Sequence, residues 1–237
     1  MTSQDAAPTF RLAYVPGVTP GKWSRVWHAR LPDVPLILDQ VTAADAVAVV
    51  RDRGADAALL RLPIDRTGLH AIPLYTETTV LVVPKHHELT AATEVSEADL
   101  ADTVLLHPHD DTLDWAEPPR VAAHRPDTTT DAVELVAAGV GLLVVPQSIA
   151  RLHHRRDLTY RPVTFAPESR VALTWLEDET TDLMEQFIGI VRGRTVNSTR
   201  GRPRAQEKRS QPAARKAETS RSASRGRGAR RGRPRHR

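Results

Sequence analysis

The sequence predicts an α/β body over residues 10–196, followed by a basic tail over residues 197–237. From Phe10 onward, short runs of Val, Leu and Ala alternate with amphipathic stretches, as expected when crossover helices bury the strands of a sheet. Residues 200–237 contain no Leu, Ile, Val, Phe, Trp or Tyr. Such a segment buries too little apolar surface to offset the entropy of ordering its backbone, so we expect the tail to be disordered.

The charge divides at the same point in the chain. Residues 200–237 hold 13 Arg and two Lys against Glu207 and Glu218, a net charge of +13, so the rest carries −9 of the total +4. A polyanion repels an acidic body and attracts an arginine-rich arm. We therefore expect any nucleic-acid binding to lie in the tail.

Composition excludes several classes of protein. Without Cys there is no disulfide framework, thiolate zinc site or cysteine nucleophile. Residues 1–8 lack the basic and apolar regions of a secretory signal, and no run approaches the roughly 18 apolar residues that a membrane span needs. We expect a cytoplasmic chain with no membrane partner and a disordered N-terminus over residues 1–9.

The first half of the body reads as strands separated by two helices. An apolar strand over residues 10–15 ends in a turn-rich loop at 16–21. Trp23 and Trp27 then lie four residues apart as core anchors of a helix over residues 23–30. Thr42 to Asp45 form a capping-box pattern before a second helix that Gly54 ends. The remaining strands are predicted at residues 36–38, 56–60, 69–74 and 79–83.

The second half continues the alternation. Ser96 to Asp99 form another capping box, Asp131 caps a helix through Ala138, and Pro146 fits the first turn of a helix reaching about Arg155. Thr181 or Asp182 caps a final helix that ends near Arg192. The strands are predicted at residues 103–107, 142–145, 158–163 and 170–175.

Five stretches, in order, resemble the effector-binding domain of LysR-type transcriptional regulators: residues 31–36, 53–59, 81–89, 96–101 and 135–146. The resemblance covers roughly residues 10–193. It implies a two-lobed fold of the periplasmic-binding-protein type (type 2) that closes on a small effector. Lobe one would comprise about residues 10–84 and 162–193, and lobe two about 85–161, with hinge strands near 82–84 and 160–163.

The resemblance also implies where the ligand would bind. Helix N-termini and strand ends that converge on a cleft present free backbone N–H groups, which suit small and often anionic ligands. The residues expected to line this cleft are Val15, Pro16, Gly17, Thr19, Arg61, His107, His109, Thr128 and Thr129.

A LysR-type regulator begins with a winged helix-turn-helix, whereas only nine residues precede Phe10. Two copies of Arg-Gly-Arg-Pro-Arg in the tail resemble the AT-hook, a peptide that binds the minor groove. Glycine lets the backbone approach the groove floor, proline keeps it extended, and arginines follow the negative potential of A·T tracts. The expected DNA contacts are Arg200, Gly201, Arg202, Pro203 and Arg204, with Arg231, Gly232, Arg233, Pro234 and Arg235.

The sequence contains no motif that is typical of catalysis or of metal binding. There is no Gly-x-Ser-x-Gly, phosphate loop or dinucleotide fingerprint. The histidine clusters at 86–87, 107–109 and 153–154 do not form the i, i+4 pair with a carboxylate that is typical of helical zinc sites. We therefore predict no enzyme activity, no metal and no cofactor.

The favoured hypothesis is a nucleoid-associated transcriptional regulator, in which a small-ligand sensor is tethered to the A·T-rich minor groove by residues 200–237. The alternative is a metabolite-binding module whose tail adds only nonspecific affinity for RNA or the nucleoid, which Arg225 to Gly228 favour. An enzyme on the same scaffold is a third, disfavoured hypothesis. A second copy of the chain is a candidate partner.

Overall fold

A computed structural model describes residues 8–117 and 125–194. All of them belong to one compact unit. The predicted disordered tail and both AT-hook-like pentapeptides lie outside the described residues, as does most of the N-terminal segment over residues 1–9. The α/β fold class is confirmed, with nine strands and five α-helices in the described part of the chain.

The first sheet has the strand order β2-β1-β3-β9-β4. β1 pairs in parallel with β2 and β3, and β9 runs antiparallel between β3 and β4. The strands are β1 (Phe10–Tyr14), β2 (Leu36–Gln40), β3 (Ala57–Leu62), β4 (Leu69–Glu77) and β9 (Ser169–Leu176). The helices of this lobe are α1 (Gly21–Arg30), α2 (Ala46–Arg51) and α5 (Asp182–Val191). α5 follows β9 and therefore returns the chain to this first lobe.

An aromatic cluster fixes how the helices pack on this sheet. The rings of Phe10 and Trp27 lie 4.9 Å apart, and those of Phe10 and Phe187 lie 5.2 Å apart. All three side chains are buried, and the indole N–H of Trp27 donates to the Val34 carbonyl at 2.9 Å. The prediction that Trp23 and Trp27 anchor the core is confirmed, since both are buried.

The second sheet has the strand order β6-β7-β5-β8. Its strands are β5 (Thr79–Pro84), β6 (Leu105–Leu106), β7 (Leu142–Pro146) and β8 (Leu158–Pro162), and its helices are α3 (Thr129–Ala137) and α4 (Gln147–Leu152). Val80 and Val82 face one apolar cluster with the helices, whereas Leu81 and Val83 face another. Because both faces of β5 are covered, its sequence reads as a continuous apolar run.

The chain crosses between the lobes at two places. It leaves β4 at Glu77 and enters the second sheet at Thr79, and it returns through residues 163–168 to β9. The structure thus places the first crossing earlier than the boundary expected near residue 84, because β5 pairs with β7 and β8 on both sides. Pro84 ends a strand of the second lobe.

Three helix ends differ from the sequence predictions. Arg53, with φ of 58°, takes the left-handed conformation that ends α2. Gly54, which was predicted to end this helix, comes one residue later. Thr128 caps α3 by accepting from the Asp131 amide, so the cap lies three residues before the predicted Asp131. α4 ends at Leu152, three residues before the predicted Arg155.

Among the described residues, no helix is both long enough and apolar enough to cross a membrane.

Candidate ligand site between the lobes

The loop after β1 brings the first lobe against the second. Gly17 has φ of +82°, a conformation that side chains with a Cβ rarely adopt. A Cβ at this position would lie 2.6 Å from Ser148 Oγ and 3.0 Å from Arg61 Nη2. Since Ser148 lies on α4, the missing Cβ of Gly17 leaves room for the two lobes to approach this closely.

Arg61 lies at the point where the lobes meet. Its Nη1 donates to the Pro16 carbonyl at 2.8 Å, and its Nε donates to Ser169 Oγ at 3.1 Å. Its Nη2 donates both to Glu77 Oε2 at 3.1 Å and to Ser148 Oγ at 2.9 Å. The guanidinium therefore joins three segments of the first lobe to one helix of the second.

The Arg61–Glu77 pair is an internal ion pair. The two side chains are 4% and 10% exposed, respectively. Ser148 completes a triangle by donating from Oγ to Glu77 Oε2 at 3.0 Å. A buried pair of this kind depends on every partner, because an uncompensated charge in the interior is costly.

A loop after β6 supplies the second lobe's side of the cleft. His107 Nε2 lies 3.1 Å from Asp111 Oδ2, which also accepts from the indole N–H of Trp115 at 2.9 Å. Arg125 donates to the carbonyls of His107 and Pro108, each at 2.7 Å. Burial lowers the pKa of His107 below its ordinary value, and Arg125 lowers it further, against the opposite effect of Asp111. The imidazole therefore remains neutral at neutral pH.

The N-terminus of α3 is tied to the same loop. Thr129 Oγ1 donates to Asp110 Oδ1 at 2.7 Å, and Thr128 Oγ1 donates to Asp131 Oδ2 at 2.7 Å. Carboxylates near a helix N-terminus are stabilised by its partial positive charge. Here the chain's own side chains occupy that position.

A cavity of about 270 Å³ lies between these segments. From the first lobe it is lined by Pro16, Thr42 and Arg61 among others. From the second lobe it receives carboxylates, hydroxyls and an apolar wall, namely Asp110, Asp111, Thr112, Thr129, Thr130, Val145, Pro146, Ile149, Leu152 and His153. The structure therefore brings both lobes to one shared space.

A larger and more open cleft of about 1020 Å³ adjoins this cavity, and Gln40 and Leu152 line both. It runs along the start of α1 and the outer side of α4. Its basic side chains are those of Lys22, Arg25 and Arg151.

The residues predicted to line one cleft divide among several places. Pro16, Arg61 and Thr129 line the cavity, whereas Gly17 and Thr19 line the larger cleft. Val15 is fully buried in the first core, and His107, His109 and Thr128 line neither space. His109 is exposed, and its amide donates to the Pro126 carbonyl at 3.0 Å.

Two important residues were missed from the sequence, Glu77 and Ser148. Glu77 ends a strand and Ser148 lies in the first turn of a helix, and neither position marks a contact 71 residues away in the chain. In the described parts of the chain, no three His, Asp or Glu side chains converge as metal ligands.

Two sheets joined by two crossings, with a cavity lined from both sides, define a two-lobed ligand-binding domain of the periplasmic-binding-protein type. Residues 3–195 match the family model described as the LysR substrate binding domain, and the chain belongs to that family.

Curated proteins with similar sequences support the same family assignment. The chain is 33% identical over 160 residues to a probable hydrogen peroxide-inducible genes activator of Mycobacterium avium, covering 62% of this chain and 51% of that protein. The chain thus spans about half the length of this relative. This relative is named as a gene activator, which agrees with the prediction that the chain is not an enzyme.

Solved structures share the fold. The regulatory domain of a mutant OxyR from Pseudomonas aeruginosa has a TM-score of 0.63 at 20% identity, covering 78% of this chain and 97% of that one. The effector binding domain of BenM with its effector benzoate has a TM-score of 0.66 at 19% identity, covering 78% and 91%.

Proposed function

We propose that this chain is the ligand-sensing part of a transcriptional regulator and that it binds a small molecule in the cavity between its lobes. The observation that carries the proposal is the cavity itself, which is lined by Pro16 and Arg61 on one side and by Asp110 and Thr129 on the other. A ligand that contacts both lobes binds best to one arrangement of them, so it shifts the population toward that arrangement.

In this proposal, the domain senses its ligand by binding it reversibly and not by reacting with it. The relative from Mycobacterium avium is named for its response to hydrogen peroxide, and peroxide oxidises protein thiolates. The 237 residues of this chain contain no cysteine, so they provide no thiol for such a reaction. BenM, whose effector binding domain has been solved with its effector benzoate, is the more suitable precedent.

The basic tail provides the attachment to DNA. Residues 200–237 carry a net charge of +13, and the pentapeptide occurs twice, at 200–204 and 231–235. The arginines would lie on the floor of an A·T-rich minor groove, where the guanine amino group is absent. This attachment would make the protein nucleoid-associated. A second copy of the chain remains a candidate partner.

A titration of DNA duplexes tests the attachment. The full chain and a variant ending at Thr199 are compared on A·T and G·C duplexes of equal length across a salt series. We expect the full chain to prefer A·T, with a slope of log K against log salt of about −5 if about six phosphates are neutralised. Equal affinity for the two duplexes favours the nonspecific alternative, and undiminished binding after truncation rejects the role of the tail.

A ligand screen tests the sensing role. Thermal unfolding of the full chain is followed with small amines, carboxylates, sugars and aromatic compounds. A ligand at about a hundred times its dissociation constant adds about 2.7 kcal/mol to the free energy of unfolding. A ligand whose effect disappears when Thr129 is replaced by Val supports binding in the cavity, whereas a library without any stabilising compound contradicts the proposal.

A further inference from the structure

The charged side chains of the interlobe cavity come mainly from the second lobe and are acidic. Asp110 and Asp111 both line it, together with Arg61 and His153. Arg61 is the one guanidinium among the described lining residues, and it is paired at 3.1 Å with Glu77, which does not line the cavity. The Arg61 charge is therefore compensated before any ligand arrives.

The hydrogen-bonding capacity of Arg61 is also largely used. A guanidinium has five N–H donors. Four of them point to Pro16, Ser169, Glu77 and Ser148. A carboxylate ligand could not form the two parallel hydrogen bonds by which arginine holds such groups.

The second feature that could attract an anion is the N-terminus of α3. Carboxylates of the chain itself already lie beside it, since Asp131 is in its first turn and Asp110 Oδ1 accepts from the Thr129 hydroxyl. An incoming carboxylate would meet the negative charge of Asp110 at this helix end.

Among the described residues, no Lys or Arg side chain is paired with Asp110 or Asp111. Asp111 accepts from the Leu113 amide, the Trp115 indole and His107, which are uncharged donors when the imidazole is neutral. Asp110 is exposed, and its Oδ2 has no hydrogen-bond partner among the described residues. An ammonium group has three donors and no acceptor, which suits such an oxygen.

We propose, resting on the sensing role above, that the cavity selects a small primary amine with an apolar body and rejects the corresponding carboxylate. The ammonium group contacts Asp110, and the apolar body lies against Val145, Pro146, Ile149 and Leu152. The expectation from the sequence of an often anionic ligand is thereby reversed, because Arg61 is already paired with Glu77 and the carboxylates of Asp110 and Asp131 lie at the N-terminus of α3.

Benzylamine and benzoate provide a pair of probes with one ring and opposite charge. The full-length chain is titrated with each, and binding is followed through the backbone amide NMR signals of Thr129 and Thr130, which line this cavity and not the adjacent larger cleft. We expect benzylamine to bind at least about tenfold more tightly than benzoate, since a charge-assisted hydrogen bond contributes that much.

Two variants and one control identify the cause. Asp110→Asn keeps an acceptor for Thr129 but removes the charge, and we expect it to weaken benzylamine about tenfold. Asp114→Asn changes an exposed carboxylate of the same loop that does not line the cavity, and it should leave the affinity unchanged. Glu77→Gln leaves the Arg61 charge uncompensated, and benzoate should then bind at least about tenfold more tightly than to the wild type.

The two proposals fail in different ways. Benzoate binding at these amides as tightly as benzylamine overturns the amine preference and leaves the sensing role intact. Absence of benzylamine binding at millimolar concentration also overturns the preference, and the sensing role then depends on the wider screen. Equal loss of benzylamine affinity in the Asp110→Asn and Asp114→Asn variants would contradict the assignment to Asp110.

Discussion

Ser148 Oγ on α4 accepts a hydrogen bond of 2.9 Å from Arg61 Nη2 on β3, so one side chain of the second lobe is held by a buried cation of the first. Together with the bond that Ser148 Oγ donates to Glu77 Oε2, this contact links a helix of one lobe to two strands of the other. Arg61 also lines the cavity between the lobes, so the proposed ligand site and this contact share one residue.

Replacing Ser148 by Ala should loosen the lobes. Two hydrogen bonds to charged groups are lost, one from Arg61 and one to Glu77, and we expect the free energy of unfolding in urea to fall by about 1.5 to 3 kcal/mol. Ser169→Ala is the matched control, because Ser169 accepts from the same guanidinium but lies on β9 of the first lobe. Since the chain has no native cysteine, one spin label can be placed on each lobe. The distance distribution should broaden in Ser148→Ala alone, and equal broadening in both variants would argue against a role for Ser148 in lobe coupling.

Replacing Glu77 by Gln should destabilise the fold strongly. The Arg61 charge would stay buried without its partner, and breaking such a pair costs about 3 to 5 kcal/mol. The double variant Arg61→Met with Glu77→Gln should be less destabilised than Glu77→Gln alone, as measured by urea unfolding. Glu179→Gln breaks the exposed pair with Arg53 and should change stability little. A small effect of Glu77→Gln would mean that water compensates the Arg61 charge.

His107 should make the fold sensitive to acid. Its pKa in the folded protein lies below the ordinary value of 6.5, mainly because of burial, so the unfolded chain binds more protons as the pH falls below 6.5. The stabilisation is complete above that pH and decreases toward the lower folded pKa. Urea unfolding between pH 7.5 and 5 should show a shallower loss in His107→Gln than in the wild type. His86→Gln, which alters an exposed imidazole outside this loop, should keep the wild-type profile, and an unchanged profile in His107→Gln would contradict this origin.

Replacing Gly17 by Ala should cost more than the same change at another glycine with positive φ. Gly68 has φ of +69° and open space around its absent Cβ, so Gly68→Ala should cost only the conformational strain of about 1 to 2 kcal/mol. Gly17→Ala adds the contact with Ser148 and should cost at least about 1 kcal/mol more. The two variants are compared by thermal and urea unfolding. Equal costs would show that the lobes separate freely at this point.

Much of the fold could be predicted because the elements are locally determined. The apolar runs at Phe10–Tyr14, Thr79–Pro84 and Leu142–Pro146 are strands in the structure, and Ser96 with Asp99 forms the predicted capping box. The predicted helix ends were less accurate where either of two neighbouring residues could end the helix. Arg53 takes the left-handed position that glycine usually occupies, and the amide of the next residue, Gly54, closes the helix end by donating to the Val49 carbonyl.

The site was predicted only in part because its pairs are distant in the chain. Arg61 was correctly placed at the cleft, but its compensating charge comes from Glu77 and its lobe contact from Ser148, 87 residues away. Nothing in the local pattern shows that a carboxylate at a strand end will neutralise that cation. The expectation of an often anionic ligand was based on helix N-termini and strand ends, so it did not include the compensation of Arg61 by Glu77.

The two crossings between the lobes make the second lobe an insert within the first. β1 begins the described chain and α5 ends it, and both belong to the same lobe. Any segment joined before Phe10 or after Arg194 is therefore carried by that lobe alone. If the basic tail binds a duplex, the first lobe is the one attached to the DNA. A ligand that changes the arrangement of the lobes would then move the inserted lobe relative to that DNA.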